Sequence, residues 1–261
     1  MPRVSGPWTL DPREKKVTVY SARPGQTSFG TAIGIVLLDN YAPYIPGDVA
    51  NASTFDFPVR YETPPGVRGQ DLFLHDTGLK DAVLDAARRL VRQGGVRAVT
   101  GACGFMLLFQ EFLAENLEVP VFMSSLLQLP FMESMLGKDE KIGILTASSD
   151  GMDPAILKKA GVNNPGAVVI QGMQETKYFG DAIIRETADL DSCKVEAETV
   201  ESAMDMVRRD PQIKMILSEC SCLPPYSAAV QAATGLPVFD FVTMIRFVHS
   251  TLVRRPYSGH M

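Results

Sequence analysis

Cysteine and histidine are scarce in this sequence, with four and three residues respectively among 261. Four cysteines are too few for a disulfide-stabilised secreted fold, so the thiols are expected to be reduced. Three histidines do not supply a histidine-rich metal site. The C-x-C formed by Cys220 and Cys222 has neither a second cysteine pair nor a nearby histidine. We therefore expect no metal and a cytoplasmic protein.

An excess of basic residues and long hydrophobic segments are also missing. Lys and Arg number 25 against 30 Asp and Glu, so the net charge is −5, and no basic cluster predicts phosphate binding. No apolar run reaches the roughly 18 residues that span a bilayer. The first residues lack the apolar core of a signal peptide. Neither nucleic acid nor a membrane is an expected partner, whereas a small-molecule ligand is.

The glycine-rich fingerprints of common nucleotide-binding and hydrolytic enzymes are absent as well. The sequence contains no G-x-G-x-x-G, no G-x-x-x-x-G-K-[ST] and no G-x-S-x-G. The sequence therefore lacks the tight turns that dinucleotide-binding, P-loop and α/β-hydrolase enzymes require.

Short apolar strands alternate with helical segments through most of the chain. Ala32–Leu38 is a continuous apolar run, typical of a strand covered on both faces. Residues 80–93 carry apolar side chains at helical spacing, and a Gly-Gly pair follows them. This alternation predicts an α/β fold with one parallel sheet or two. Residues 1–29 are polar and rich in Pro, Gly and Ser, which indicates a surface leader.

The two halves of the chain repeat one pattern. Each half has an Ile-Gly-Ile strand (33–35 and 142–144) and then a strand that leads to a cysteine. In both halves a Pro-Val-Phe strand begins 17 residues after that cysteine. The matched order and spacing favour a duplication into two similar lobes. We assign residues 30–122 plus 235–261 to the first lobe and residues 123–234 to the second.

The repeated cysteines, Cys103 and Cys220, each lie just after a predicted strand. Functional groups of parallel α/β sheets gather at the carboxyl ends of the strands. A pseudo-twofold packing of the lobes brings the two thiols face to face across one cleft. One thiolate can then remove a proton from a bound carbon while a thiol on the opposite face returns one. This arrangement predicts racemisation or isomerisation without a cofactor.

A structural role is the competing interpretation, because free cysteines are often buried in protein cores. Cys193 lies in a charged stretch, and we interpret it as structural. Cys222 follows Cys220, and we interpret it as a packing residue. A Cys–His nucleophile pair with His75 or His249 has no support from spacing. A small-acid binding protein without catalytic activity is a further alternative.

The segments TGACG, KIGILTASS and SECSCLPPYSAAVQAATGLPVFD resemble the aspartate/glutamate racemase superfamily. The resemblance implies two similar Rossmann-like α/β lobes, with parallel sheets related by a pseudo-twofold axis and an active site in the cleft between them. It implies that Cys103 and Cys220 are catalytic, acting at the carbon next to a carboxylate or carbonyl of an amino acid, a hydantoin or a related small acid. A homo-oligomer is an expectation of the same kind. The implied substrate contacts are Asp39, Asn40, Gly104, Thr146, Ser149 and Ser221.

Two departures from the family motifs leave the substrate open. The first motif, Ala-Cys-Asn-Thr, corresponds to residues 102–105, where glycine and phenylalanine replace Asn-Thr. The second, Gly-Cys-Thr, corresponds to Glu219-Cys220-Ser221, and Cys222 follows in place of an acidic residue or histidine. Maleate cis–trans isomerisation and arylmalonate-type decarboxylation are therefore alternatives, although a decarboxylase typically keeps one of the two cysteines. The long irregular stretch 40–69 is predicted to be a lid, with Asn51, Ser53 and Thr54 as possible contacts.

Overall fold

The structure is a computed structural model that describes Ser21, residues 23–187, residues 189–257 and His260. Most of the predicted surface leader, residues 1–29, therefore lies outside the described residues. No helix among the described residues is both long enough and apolar enough to cross a membrane.

Within the described residues, eight strands form two four-stranded parallel sheets. The first sheet has the order β2-β1-β3-β4 and the second has the order β6-β5-β7-β8. Both sheets thus place their strands in the same order, which confirms the predicted α/β class with two parallel sheets. The strands are β1 (Ile33–Val36), β2 (Val59–Glu62), β3 (Ala98–Gly101), β4 (Val121–Phe122), β5 (Lys141–Thr146), β6 (Val168–Gly172), β7 (Ile213–Ser218) and β8 (Val238–Phe239).

Helices flank both sheets, and short 3₁₀ turns follow the two strands that precede the repeated cysteines. The turn after β3 is Gly104–Phe109, and the turn after β7 is Pro224–Tyr226. The α-helices of the described residues are α1 (Gly69–Phe73), α2 (Lys80–Arg92), α3 (Gln110–Asn116), α4 (Leu129–Glu133), α5 (Pro154–Lys159), α6 (Ser192–Arg209), α7 (Ser227–Thr234) and α8 (Phe241–Leu252).

The glycines of the two Ile-Gly-Ile strands allow a helix to pack closely against each sheet. A β-carbon added to Gly34 would lie 3.0 Å from Val96 and 3.1 Å from Leu90 of α2. A β-carbon added to Gly143 would overlap the terminal methyl of Met206, which belongs to α6. The repeated tripeptide therefore has a packing cause, since both lobes set a long helix against the central strand.

The end of the chain divides between the two lobes differently from the prediction. Strand β8 pairs with β7, with Ile216 opposite Val238, so it belongs to the second sheet. Helix α8 then packs on the first sheet, where Phe241 and Ile245 join the apolar cluster that contains Ile33. Residues 235–261 were predicted to belong to the first lobe, but the pairing of β8 with β7 places the crossover to the first sheet after Phe239.

Replacing Gly34 by alanine and by valine tests this close packing. We expect a graded loss of stability, of about 1–3 kcal/mol for Gly34→Val, because the added methyl groups meet Val96 and Leu90 in a filled core. Urea denaturation followed by circular dichroism measures the free energy of unfolding. Equal stability of the parent and Gly34→Val would contradict the packing explanation.

Candidate active site

Cys103 and Cys220 line the same pocket. Cys103 lies two residues after β3 and Cys220 lies two residues after β7, and each side chain is about 9% exposed. The pocket has a volume of about 60 Å³, and residues that follow the strands of both sheets form its walls. The structure thus brings together the two thiols that the repeat singled out, at the carboxyl ends of parallel strands.

Two buried hydrogen bonds hold the two cysteine segments against each other. The hydroxyl of Ser221 donates to the carbonyl of Ala102 at 2.7 Å. The hydroxyl of Ser125 donates to the carbonyl of Glu219 at 2.8 Å. The first bond joins the residue after Cys220 to the residue before Cys103, and the second joins the residue before Cys220 to the 3₁₀ turn after β4. Contacts within the protein therefore hold the two cysteine segments in place.

Glu219 is a buried acid that the sequence analysis did not assign to the site. The residue is 1% exposed and lines the pocket. Thr146 donates its hydroxyl proton to Oε2 at 2.7 Å, whereas Oε1 has no hydrogen-bond partner among the described residues. Burial raises the pKa of this carboxyl to about 7, so close to neutral pH a large fraction of it carries a proton.

The absence of a side chain at Gly104 makes room for the Glu219 side chain in the pocket. A β-carbon at position 104 would overlap the Glu219 carboxylate. The family motifs have Asn at this position and Gly at the other, whereas this chain has Gly104 and Glu219. Gly104 thus leaves the space that the Glu219 side chain occupies from the second lobe. The acidic residue directly before Cys220 was the signal in the sequence that pointed to a buried acid at this site.

The two thiols differ in their surroundings. Burial, followed by the charges of Glu219 and Cys220, raises the pKa of Cys103 above its usual value, although backbone N–H groups act in the opposite direction. Cys103 is therefore a neutral thiol near pH 7. The sulfur of Cys220 instead accepts a hydrogen bond from the backbone N–H of Cys222 at 3.5 Å.

Cys222 and Asp48 form a second polar group beside Cys220. Cys222 lines the pocket, and Asp48 is 2% exposed. The carboxylate of Asp48 accepts the Ala50 N–H at 2.7 Å. Burial raises the pKa of Asp48 to about 7, and the Cys222 side chain acts in the opposite direction. Nothing near Cys222 in the sequence indicates that a carboxylate lies beside it.

The predicted substrate contacts divide into two groups. Asn40, Gly104 and Ser221 line the pocket, but Asp39, Thr146 and Ser149 do not. Asp39 instead accepts the Gly66 N–H, and Ser149 is bonded to Gln174. Asn40 and Ser221 also have partners within the protein, since Asn40 accepts the Gly69 N–H and Ser221 donates to the Ala102 carbonyl. The role of all six as substrate contacts stays a prediction.

The predicted lid, residues 40–69, contributes only part of its length to the pocket. Its lining residues are Asn40, Ala42, Tyr44, Ala50 and Gly69. Asn51 caps a short turn by accepting the Ser53 N–H at 2.9 Å, and Thr54 accepts the Gly47 N–H at 2.8 Å. Asn51, Ser53 and Thr54 therefore shape the loop and do not line the pocket.

No cluster of three or more metal-ligating side chains occurs in the part of the chain that the structure describes. Aromatic rings form one wall of the pocket instead. Phe73 and Phe105 pack edge to face with their ring centroids 5.2 Å apart, and both line the pocket together with Tyr44. The faces of such rings attract cations.

No protein-family model matches the chain. Among curated proteins, it is 33% identical over 237 residues to a dimethylsulfoniopropionate lyase of Durusdinium sp. clade D, an alignment that covers 87% of this chain and 77% of the relative. It is 35% identical over 241 residues to dimethylsulfoniopropionate lyase 3 of Emiliania huxleyi (strain CCMP1516), covering 87% of this chain and 61% of that relative. The chain therefore spans less than two thirds of the second relative.

Solved structures with the same fold have other activities. Allantoin racemase from Pseudomonas fluorescens has a TM-score of 0.60 at 19% identity and covers 88% of this chain and 100% of its own. Arylmalonate decarboxylase has a TM-score of 0.57 at 17% identity, covering 88% and 95%. Glutamate racemase RacE1 from Bacillus anthracis has a TM-score of 0.55 at 12% identity, covering 86% and 85%. These neighbours confirm the predicted fold of the aspartate/glutamate racemase superfamily.

The predicted racemase or isomerase activity is wrong. The relatives that share at least 30% identity over 87% of the chain bear the name of a lyase. The comparisons support an enzyme, as predicted, but not that class of reaction. The error has a chemical cause, because paired thiols predict removal of a proton next to a carboxylate, and elimination begins with the same step as racemisation.

Replacing Glu219 by glutamine tests the buried acid through the pH dependence of stability. Burial raises the pKa of Glu219 from 4.5 to about 7, so the unfolded chain ionises first and the parent loses stability as the pH rises through this range. Glu219→Gln removes this loss, and relative to the parent it should gain about 3 kcal/mol between pH 4.5 and pH 8. Urea denaturation at each pH gives the difference.

The matched control is Glu111→Gln, because the side chain of Glu111 is 80% exposed. Its stability should follow that of the parent across the pH range. A Glu219→Gln profile parallel to the parent would mean that Glu219 is ionised without cost in the folded protein.

Proposed function

Because the chain belongs to the dimethylsulfoniopropionate lyase family, we propose that it cleaves dimethylsulfoniopropionate by β-elimination. The observation that carries the proposal is the 33% identity to a lyase of that name over 87% of this chain. The geometry adds two thiols in one pocket with a buried acid between the lobes. A soluble acid that carries a sulfonium group two carbons from its carboxylate is a substrate of the predicted class, a small carboxylate.

The reaction needs one base. A thiolate removes a proton from the carbon next to the carboxylate, and the electron pair of that C–H bond becomes the second bond of a C=C double bond. The bond between the next carbon and sulfur breaks, and the sulfur keeps its electron pair and leaves as neutral dimethyl sulfide. The other product is acrylate, and the thiol later loses its proton to solvent. No oxidant or reductant is consumed.

Cys220 is the proposed base, and Cys103 is the proposed neutral partner. Cys220 is assigned as the base because it lines the pocket and its sulfur accepts the backbone N–H of Cys222 at 3.5 Å. Burial and the neighbouring acidic groups raise the pKa of Cys103, so it faces the substrate as an uncharged thiol. A site with one thiolate and one thiol removes a proton from one face of the substrate. Because the sulfide then leaves, no proton has to be returned on the other face.

The pocket walls match the two charged ends of the proposed substrate. The sulfonium group would lie against the faces of Phe73, Phe105 and Tyr44, which line the pocket. The carboxylate would accept a hydrogen bond from protonated Glu219, whose Oε1 has no other partner among the described residues. The amide of Asn40, which also donates to Glu186, would supply a second one. An anionic ligand favours the protonated form of that acid.

Serine substitutions of the cysteines test the assignment of roles. With dimethylsulfoniopropionate as substrate, Cys220→Ser should lower kcat by about 10²–10⁴-fold, because a serine hydroxyl is a far weaker acid than a thiol and cannot serve as the base at neutral pH. Cys103→Ser should act mainly on KM, since Cys103 lines the pocket as a neutral group. Headspace gas chromatography of dimethyl sulfide measures both.

Cys193→Ser is the matched control, because Cys193 is exposed and lies outside the pocket. It should keep the parent rate. Release of dimethyl sulfide by Cys220→Ser at the parent rate would remove Cys220 from the mechanism. Absence of dimethyl sulfide with the parent enzyme would overturn the proposed function itself.

A further inference from the structure

We propose that Glu186 is a positioning residue that directs the Asn40 amide into the pocket and holds the two lobes together at the pocket rim. Glu186 lies in the second lobe, between β6 and α6, and does not line the pocket itself. The use of Asn40 to bind a substrate carboxylate rests on the proposed function. The contact between the lobes is independent of it.

Three hydrogen-bond donors of the first lobe converge on the Glu186 carboxylate. The Asn40 side-chain amide donates to Oε1, the Tyr41 backbone N–H donates to Oε2 at 3.1 Å, and Arg68 Nη2 donates to Oε2 at 2.9 Å. We call this set of bonds the Glu186 contact. Hydrogen bonds to a charged acceptor are the stronger kind, so this carboxylate joins the lobes more firmly than a neutral side chain would.

The Glu186 contact lies where the pocket meets solvent. Asn40 and Ile184 line the pocket, whereas Tyr41 is 78% exposed and the Arg68 side chain is 42% exposed. The Glu186 side chain is 10% exposed. A change at Glu186 is therefore expected to affect entry to the pocket more than packing of the core.

The backbone of Glu186 has an unfavourable conformation. Its φ is 53°, in the left-handed region that a residue with a β-carbon rarely adopts. Glu186 follows the π-helical turn Gly180–Ile184, and the Thr187 N–H donates to the Asp181 carbonyl at 2.9 Å beyond it. Such strain persists where surrounding contacts determine the conformation, and it is concentrated at functional sites. The three donors of the first lobe are contacts of this kind.

The Glu186 contact also fixes the direction of the Asn40 amide. Asn40 Oδ1 accepts the Gly69 N–H at 3.0 Å, and Nδ2 donates to Glu186. The oxygen and nitrogen of the amide therefore cannot exchange places without losing both bonds. Because an asparagine amide carries two N–H donors, one of them remains for a ligand in the pocket that Asn40 lines.

Steady-state kinetics with dimethylsulfoniopropionate test the positioning role. Glu186→Ala should raise KM about tenfold and change kcat less than about twofold, because it frees the Asn40 amide and leaves both cysteines in place. Asn40→Ala should raise KM by the same factor. The double variant should be no worse than either single variant, because the two residues act as one unit. Additive effects on KM, or a loss confined to kcat, would overturn the positioning role.

Two further variants separate positioning from a general loss of structure. Glu186→Gln keeps one acceptor oxygen and should raise KM less than Glu186→Ala does, and it replaces that variant if alanine prevents folding. Glu175→Ala is the matched control, because Glu175 is an exposed acid of the same connection between β6 and α6. It should keep the parent KM. An equal rise of KM in Glu175→Ala and Glu186→Ala would contradict the proposal.

Alkylation by iodoacetamide tests the contact between the lobes without a substrate. All proteins carry Cys193→Ser, because Cys193 is exposed and would consume reagent. Tandem mass spectrometry follows the modification of Cys103 and Cys220, which are each about 9% exposed in the parent. Glu186→Ala should speed both modifications about threefold at every pH from 6 to 9, because local opening of the rim changes access and not the thiols. Glu175→Ala should keep the parent rates.

Equal alkylation rates in the parent and in Glu186→Ala would overturn the role of Glu186 at the pocket rim. A displaced pH profile in place of a uniform increase would overturn it as well, because it would mean that the thiols themselves had changed. If the parent releases no dimethyl sulfide, the proposed function fails, and the alkylation rates still decide whether Glu186 holds the rim closed.

Discussion

The hydrogen bond from the Ser221 hydroxyl to the Ala102 carbonyl is the contact on which the site depends. It joins the residue after one repeated cysteine to the residue before the other, at 2.7 Å in a buried position. Strands β3 and β7 deliver these segments from separate sheets, so nothing within either lobe alone fixes the distance between the thiols. A buried polar contact between lobes has few alternative partners, and it therefore sets one register for the pocket.

The close approach of Gly104 and Glu219 brings an acid into this pocket. Gly104 vacates space on the first lobe, and Glu219 fills it from the second. Glu219 is anchored by Thr146 through one oxygen, which leaves the other free to meet a ligand. A carboxyl group whose pKa burial raises to about 7 can donate a hydrogen bond, which an asparagine would do without responding to the charge of the ligand.

The sequence was informative where a local pattern has a local cause. The glycines of the Ile-Gly-Ile strands are explained by the close approach of the Leu90 and Met206 side chains to the sheets. The spacing between strand and cysteine predicted that Cys103 and Cys220 lie in one pocket, where the structure has them. Asp48 could not be found in this way, because its neighbour Cys222 lies on the other lobe and far along the chain. The sheet to which β8 belongs was predicted wrongly for a similar reason, since only the pairing of β8 with β7 shows that it lies in the second sheet. The reaction class was wrong because a pair of thiols predicts removal of a proton and does not distinguish racemisation from elimination, which depends on the substrate.

The kinetic isotope effect on dimethylsulfoniopropionate deuterated at the carbon next to the carboxylate tests the central claim most directly. The account holds that a cysteine removes this proton and that the sulfide leaves as a consequence. It predicts that the parent enzyme releases dimethyl sulfide and acrylate in equal amounts and that kcat/KM is lower for the deuterated substrate. Release of dimethyl sulfide at the same rate from both substrates, without formation of acrylate, would contradict elimination initiated by proton removal at this site.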